Sequence, residues 1–337
     1  MRLNRLMFRA FLLIACLCGS LHSHSQRLVT FEGQAQGTYY IVKYLSEDTV
    51  SLQPQVTALF REIDASLSLW QPASLINRFN ESERGVLMDA HMRTVVKRAQ
   101  EVSRATKGAF DITVKPLVDL WGFGVIRHQR KPSADSIRYA LQFTGYKLLQ
   151  VKGDSLIKKK AQVQIDANGV AQGYTTDCVA RLLESCGIAN YLVDVGGELR
   201  AKGVNARGNS WSVGIERPSG AAARPQQALL YLAQKSIATS GNYRRFFDEG
   251  KTRYAHTIDP KTGIALHSNV ISVTVVADDC ITSDAFDNAL MLWGPEKGLK
   301  FIRQHPELRL EAAYIFTKKK GETKEAYSPG FLEMMKK

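Results

Sequence analysis

AQVQIDANGVAQGYTTDCVARLLESCGIANYLVDVGGELRAKG, residues 161–203, is the stretch on which the fold turns. Its first five residues, Ala161 to Ile165, alternate in polarity and read as a strand. The turn Asp166-Ala167-Asn168-Gly169 then opens a helix from Ala171 to Cys186, with Gly187 placed to close it. Two more strands, 190–195 and 198–203, flank the pair Gly196-Gly197, a hairpin signal. Downstream the rhythm continues with strands at 210–216, 227–233, 252–258, 270–277 and 312–317. Upstream, 37–45 reads as a strand and 147–166 as a hairpin turning at Lys152-Gly153-Asp154. Helices are expected from Val56 to Leu69, from His91 to Thr106 with Gly108 beyond, and from Pro132-Ser133 to near Gly145. Ser283 to Leu292 and Pro295 to His305 supply the last two. Helices come early and strands follow one another like hairpins. The class is therefore α+β, with largely antiparallel sheets and packed helices, and not a doubly wound parallel fold. No repeat or low-complexity linker divides the chain, so residues 26–337 read as a single compact domain.

The chain has 337 residues, 45% hydrophobic and 23% charged, which excludes a disordered or fibrous protein. Its formal charge is +13, and three of the positive charges, Arg2, Arg5 and Arg9, precede the apolar run Ala10 to Gly19. That run is too short to span a bilayer and reads with its basic flank as a signal peptide over residues 1–25. Leu13-Ile14-Ala15-Cys16 resembles a lipobox, which makes Cys16 a lipid anchor; cleavage after Ser23-His24-Ser25 is the alternative. Export to the periplasm, with inner-membrane anchoring as a lipoprotein, is the expectation. Cys178 and Cys186 lie eight apart on one helix, about 12 Å, too far for a disulfide. No Cys/His spacing suggests zinc. Lys158–Lys160 and Lys318–Lys320 read as solvated hairpin faces, and no aromatic-interleaved basic stripe points to nucleic acid.

Polar clusters at element ends carry the candidate chemistry. The turn from Asp166 to Tyr174 can bring backbone N–H and C=O groups to a ligand. Gly196-Gly197, between Asp194 and Glu198, either admits a flat or phosphorylated ligand or simply turns a hairpin. Asp284 and Asn288 are four apart and share a helix face, with Asp287 beside them. Such oxygens suit Mg²⁺, and the competing reading is that Asp284 complements the helix dipole. His256, in Tyr254-Ala-His256-Thr-Ile258-Asp259-Pro260, reads as a base, a phosphate partner or a strand histidine with no such role. Phe110, Trp121 and Phe123 can stack on an aromatic ligand; Trp121 and Phe123 read better as core.

The order of these clusters is more specific than any one of them. Gly37-Thr38, Ser66-Leu-Ser-Leu-Trp70 with Ser74 and Asn80, GAFD at 108–111, PLVDLWGF at 116–123, DANGVAQGYTTD at 166–177 and YLVDVGGELRAKG at 191–203 come first. Ile237-Ala-Thr239-Ser240-Gly241, YAHTIDPKTG at 254–263 and SVTVVADDCITSDAFDNAL at 272–290 follow. The set resembles the ApbE family of FAD:protein FMN transferases, from about residue 33 to 300. The resemblance implies a single ApbE-like, T-fold-like catalytic domain. It implies Mg²⁺-dependent transfer of FMN from FAD to a Thr or Ser of a target flavoprotein, as a phosphoester, with AMP released. The implied acceptor motif is Asp-Gly-x-Ser/Thr-Gly-Ala-Thr. It further implies that Mg²⁺ is held by Asp284, by the side chain at Asn288 and by the Gly169 carbonyl, with Asp287 close by. FAD would be cradled by Gln36, Trp70, Ala109, Phe110, Asp111, Asp166, Gln172, Thr239, Ser240, His256 and Ile258. His256 and Asp284 are the two candidates for the catalytic step. The sequence departs from the pattern at Gln172 (commonly Lys), Asn288 (commonly Thr) and Trp70 (commonly Tyr). Hydrolysis of FAD to FMN and AMP, or flavin binding without catalysis, are the alternative readings.

Overall fold

The computed structural model describes residues 26–128, 130–216, 227–242, 246–249, 252–318 and 321–335. The leader, Cys16 included, and Lys319–Lys320 lie outside the described residues. Eight strands form the central sheet: β1 (Arg27–Ala35), β2 (Thr38–Ser46), β3 (Tyr191–Val195), β4 (Glu198–Lys202), β5 (Lys235–Gly241), β6 (Val270–Ala277), β7 (Glu311–Thr317) and β8 (Thr323–Tyr327). Their order across the sheet is their order in the chain, and every neighbouring pair is antiparallel. The sheet is thus a meander into which longer segments are inserted.

The largest insertion, between β2 and β3, carries α1 (Gln53–Leu67), α2 (Leu75–Glu81), α3 (Ala90–Ala105), α4 (Lys115–Leu120), α5 (Ala134–Leu141) and α6 (Ala171–Ser185). It also carries a small sheet of residues 85–87, 149–152 and 155–158. A long helical run, α7 (Cys280–Gln304), joins β6 to β7, and α8 (Pro329–Met334) ends the chain. Gly294 breaks α7 with φ 73° ahead of Pro295, so the two helices expected from sequence meet in one bent run. The run begins three residues earlier than expected because Asp279 accepts from Thr282 N at 3.0 Å and caps it. The main core joins α3, α6 and α7 to β6 and β7, through side chains such as Met92, Val96, Phe286 and Tyr314.

Four expectations need correction. Ala161–Ile165 is not a strand; Ile165 instead exchanges two hydrogen bonds with the Asn80 carboxamide, at 2.7 and 3.0 Å. The strand expected over 252–258 stops at Ala255, leaving an isolated bridge at Ile258. Phe123 is only half-buried, packing against the Trp121 cluster while also walling a cleft, whereas Trp121 is buried with its Nε1 donating to Gly263 O at 2.8 Å. Lys158 is buried, its Nζ donating to Asn80 O at 3.0 Å and Ala161 O at 3.2 Å above the Phe79 ring. Burial pushes its pKa down to about 8. Strand alternation explains this, since Lys158 follows Leu156 onto the inward face. The sequence reading also passed over β1, β5, β8, α2 and α8, short or polar elements with weak periodicity. Cys178, Cys186 and Cys280 are free thiols, in line with the helical spacing. Among the described residues no helix is long and apolar enough to cross a membrane.

Candidate active site

Two glycines bring α6 and α7 together. A Cβ on Gly173 would sit 2.3 Å from Cys280 O and 2.7 Å from Asp284 Cβ, so only glycine permits this crossing. The approach lets Gly173 N donate to Asp284 Oδ2 at 2.7 Å. Asp284 is buried, and burial pushes its pKa up to about 7 against that hydrogen bond, with Asp177 adding to the rise. Asp287, also buried, is pushed well above the carboxylate range by burial and then by the charges of Asp284 and Glu198.

Asn288 closes the group. Its Nδ2 donates to Asp287 Oδ1 at 2.9 Å, Asp284 O at 3.0 Å and Gly169 O at 3.3 Å. A Cβ at Gly169 would stand 3.0 Å from that nitrogen, so Gly169 is the second position where a side chain would crowd the site. The four residues expected to hold Mg²⁺ therefore lie together. Carboxylate and carbonyl oxygens converging on one point have the chemistry that hard cation takes, so the residues present fit the ion. Among the described residues no three His, Cys, Asp or Glu side chains form a metal cluster; this set depends on carbonyl oxygen as well as carboxylate.

A cleft opens beside Asn288. Its walls come from Ala109, Phe110 and Asp111 after α3, from Asp166 to Gly169 before α6, and from His256 and Ile258 between β5 and β6. Phe123 adds an aromatic wall, edge-on to His256 with centroids 6.5 Å apart. Two of the expected ligand-cradling carboxylates also hold the walls in place. Asp111 accepts from Thr113 N at 2.9 Å, Thr113 Oγ1 at 2.6 Å and Tyr146 N at 2.5 Å. Asp166 accepts from Asn168 N at 2.8 Å and fixes the turn that presents Gly169. Burial raises the pKa of both, more than these hydrogen bonds lower it.

Other expected residues are not in the cleft walls. Gln172 Nε2 donates to Val195 O at 2.8 Å and packs where a Gly196 side chain would be. Gln36, at φ 54° in the β1–β2 turn, donates to Asp64 Oδ1 at 3.1 Å. Trp70 is 53% exposed. Thr239 bonds Thr274 across β5 and β6, with hydroxyls 3.0 Å apart, and Ser240 follows it on β5. Asp177 was given no role from sequence. It accepts from Cys280 N and Ile281 N, both at 2.9 Å, and pairs with Arg200 at 2.6 Å, which anchors the start of α7. No local pattern marks it, because all three partners are distant in the chain.

Comparison with known proteins supplies the context for this arrangement. The ApbE family profile matches residues 36–312. A FAD:protein FMN transferase of Vibrio cholerae is 37% identical over 278 residues, covering 80% of this chain and 83% of that protein. One from Escherichia coli K12 is 33% identical over 319 residues, covering 92% and 90%. The solved flavin transferase ApbE from Vibrio cholerae superposes with a TM-score of 0.83 at 33% identity, over 92% of this chain and 99% of that one. The apo flavinyl transferase ApbE of Pseudomonas stutzeri gives 0.84, also at 33%, over 92% and 97%. The chain belongs to the ApbE family.

Proposed function

We propose that this ApbE-family enzyme cleaves the pyrophosphate of FAD and transfers the FMN half to a Ser or Thr hydroxyl of a target flavoprotein. The hydroxyl oxygen bonds to the phosphorus of the FMN half while the bond from that phosphorus to the bridging oxygen breaks. AMP leaves with the electron pair, and the hydroxyl proton passes to a base. The observation carrying this reading is the convergence of Gly169 O, Asp284 and Asp287 on the Asn288 amide, beside a cleft walled by Phe110 and Phe123. Mg²⁺ bound there would neutralise charge on the phosphate oxygens.

The remaining tasks fall to the chain itself. Phe110, Phe123 and Ile258 offer apolar faces to a ring system. The Gly173 amide holds the Asp284 carboxylate by one hydrogen bond. His256, half-buried on the same wall, is the candidate to receive the hydroxyl proton. Thr239, Ser240, Gln172, Gln36 and Trp70 belong to the flavin and adenosine contacts that the resemblance implies. The leader is read as an export signal with Cys16 as anchor, which puts the enzyme on the periplasmic face of the inner membrane.

The test is mass spectrometry of an acceptor domain incubated with the enzyme, FAD and Mg²⁺. An added FMN on Ser or Thr together with AMP is expected. AMP without the adduct would make the protein a FAD pyrophosphatase, and neither product would make it a flavin binder. Asp284→Ala is expected to reduce turnover by about 10²–10³.

A further inference from the structure

A small hairpin follows α4 at the edge of the cleft. Phe123 N donates to Val118 O and Gly122 N to Asp119 O, both at 3.0 Å, and Phe123 pairs with Arg127 in an antiparallel bridge. The base of this hairpin is tightly held. A Cβ on Gly122, at φ 74°, would stand 2.2 Å from His128 O, and one on Gly124 would stand 2.1 Å from Asp119 Oδ1. Base and tip have opposite surroundings. At the base, Phe123 packs against the Trp121 cluster and walls the cleft edge-on to His256. At the tip, Val125 is 42% and Ile126 77% exposed. Two adjacent branched apolar side chains so placed add nothing to the core and are open to a partner's apolar surface. The chain leaving the tip is basic. Arg127 and Arg130 are exposed, and among the described residues no carboxylate lies within ion-pair distance of either. Lys131 stands over the Tyr254 ring at 5.5 Å, and Tyr254 packs on Trp121, which returns the chain to the cluster beneath the hairpin. No Asp or Glu occurs between Asp119 and Asp135.

Resting on the reading that FMN passes to a hydroxyl of a second protein, we propose that Val125 and Ile126, with Arg127 and Arg130, form the docking surface for that acceptor. Its matching face carries an apolar patch beside carboxylates. Three residues separate Ile126 from Phe123, a reach of about 10 Å at most. A protein seated on the tip is held within that distance of the wall that Phe123 shares with His256, where its hydroxyl must enter. The apolar tip supplies contact area, and the arginines select an acidic surface and speed the encounter. None of the four residues walls the cleft, so they act on the acceptor and not on the nucleotide. A basic, apolar tip can also meet an anionic bilayer; its rooting in the cleft wall favours the acceptor.

The experiment measures FMN transfer by the full chain to a folded domain bearing the Asp-Gly-x-Ser/Thr-Gly-Ala-Thr motif, with acceptor and FAD each varied. Ile126→Asp, at an exposed position, should keep the native melting temperature and raise the KM for acceptor at least tenfold. Its kcat at saturating acceptor and its KM for FAD should stay within about twofold of native. Arg127→Glu combined with Arg130→Glu should raise the acceptor KM comparably at about 50 mM salt and lose most of that effect at about 0.5 M, where exposed charges are screened. The Ile126→Asp defect should persist there. An unchanged acceptor KM in both variants overturns the docking surface and leaves the transferase standing. A KM for FAD that rises in step also overturns it, and makes this run a nucleotide contact. Loss of binding to phosphatidylglycerol vesicles with the acceptor KM unmoved assigns the tip to a membrane instead. A native chain that transfers no FMN removes the proposal together with the reading beneath it.

Discussion

One turn of α7 separates two opposite treatments of a buried carboxylate. At its start, Asp177 has Arg200 at 2.6 Å and two backbone N–H donors at 2.9 Å. Burial raises its pKa, and all three of those partners pull it back. Further along, Asp284 and Asp287 are buried as deeply, and among the described residues no cation comes within ion-pair distance of either. The charges nearest to them add to the effect of burial. The chain neutralises the carboxylate that holds its helices together. It leaves the pair beside Asn288 without a cationic partner, which is how a site for an outside charge is built.

The largest expected effect breaks the neutralised side. Asp177→Ala should cost about 3–5 kcal/mol in urea unfolding, because the half-buried Arg200 loses its carboxylate and the Cys280 and Ile281 N–H groups lose their acceptor. A loss below about 1 kcal/mol would mean that Asp177 is not structural and would erase the contrast. The second effect sharpens the uncompensated side. With a folded pKa of about 7 against an ordinary value near 4, Asp284 holds a proton in the folded ion-free protein that the unfolded chain has released. Its contribution is full below about pH 4 and is lost as pH rises through about 7, with a slope of up to about 1.4 kcal/mol per pH unit. Asp284→Asn should flatten that slope in thermal unfolding measured in chelator. A native chain with no slope would place Asp284 in a compensated environment like that of Asp177. The smallest effect concerns Lys158, a buried cation away from both. Its depressed pKa of about 8 means the unfolded chain binds more protons between about pH 8 and 10, so stability should rise with pH there by roughly 2 kcal/mol. Lys158→Met should remove that rise.

Much of the scaffold was legible because it repeats. Helix α1 showed apolar spacing, α3 and α6 had glycine stops at Gly108 and Gly187, and Gly196-Gly197 read as a hairpin or a ligand approach. Ala161–Ile165 alternates like a strand but pairs with the Asn80 side chain, since no partner strand lies beside it. Lys158 looked solvated because composition does not say which way a strand faces. The candidate site divides in the same way. Asp284, Asp287 and Asn288 could be grouped by helical spacing, and Gly169 joined them only through resemblance. Asp177 carried no local signal, and Phe123, read as a stacking or core aromatic, serves both the cleft and the Trp121 cluster.

The order of residues alone settled the antiparallel α+β class, the free cysteines and the shared face of Asp284 and Asn288, because each follows from spacing of a few residues along the backbone. Folding decided the rest. Gly173 admits α7 against α6, Asp177 reaches Cys280 and Ile281 about a hundred positions away, and Gly169 O arrives beside Asn288. Contacts of that range depend on how close two backbones can approach and where burial leaves a charge, and neither is written in any local pattern.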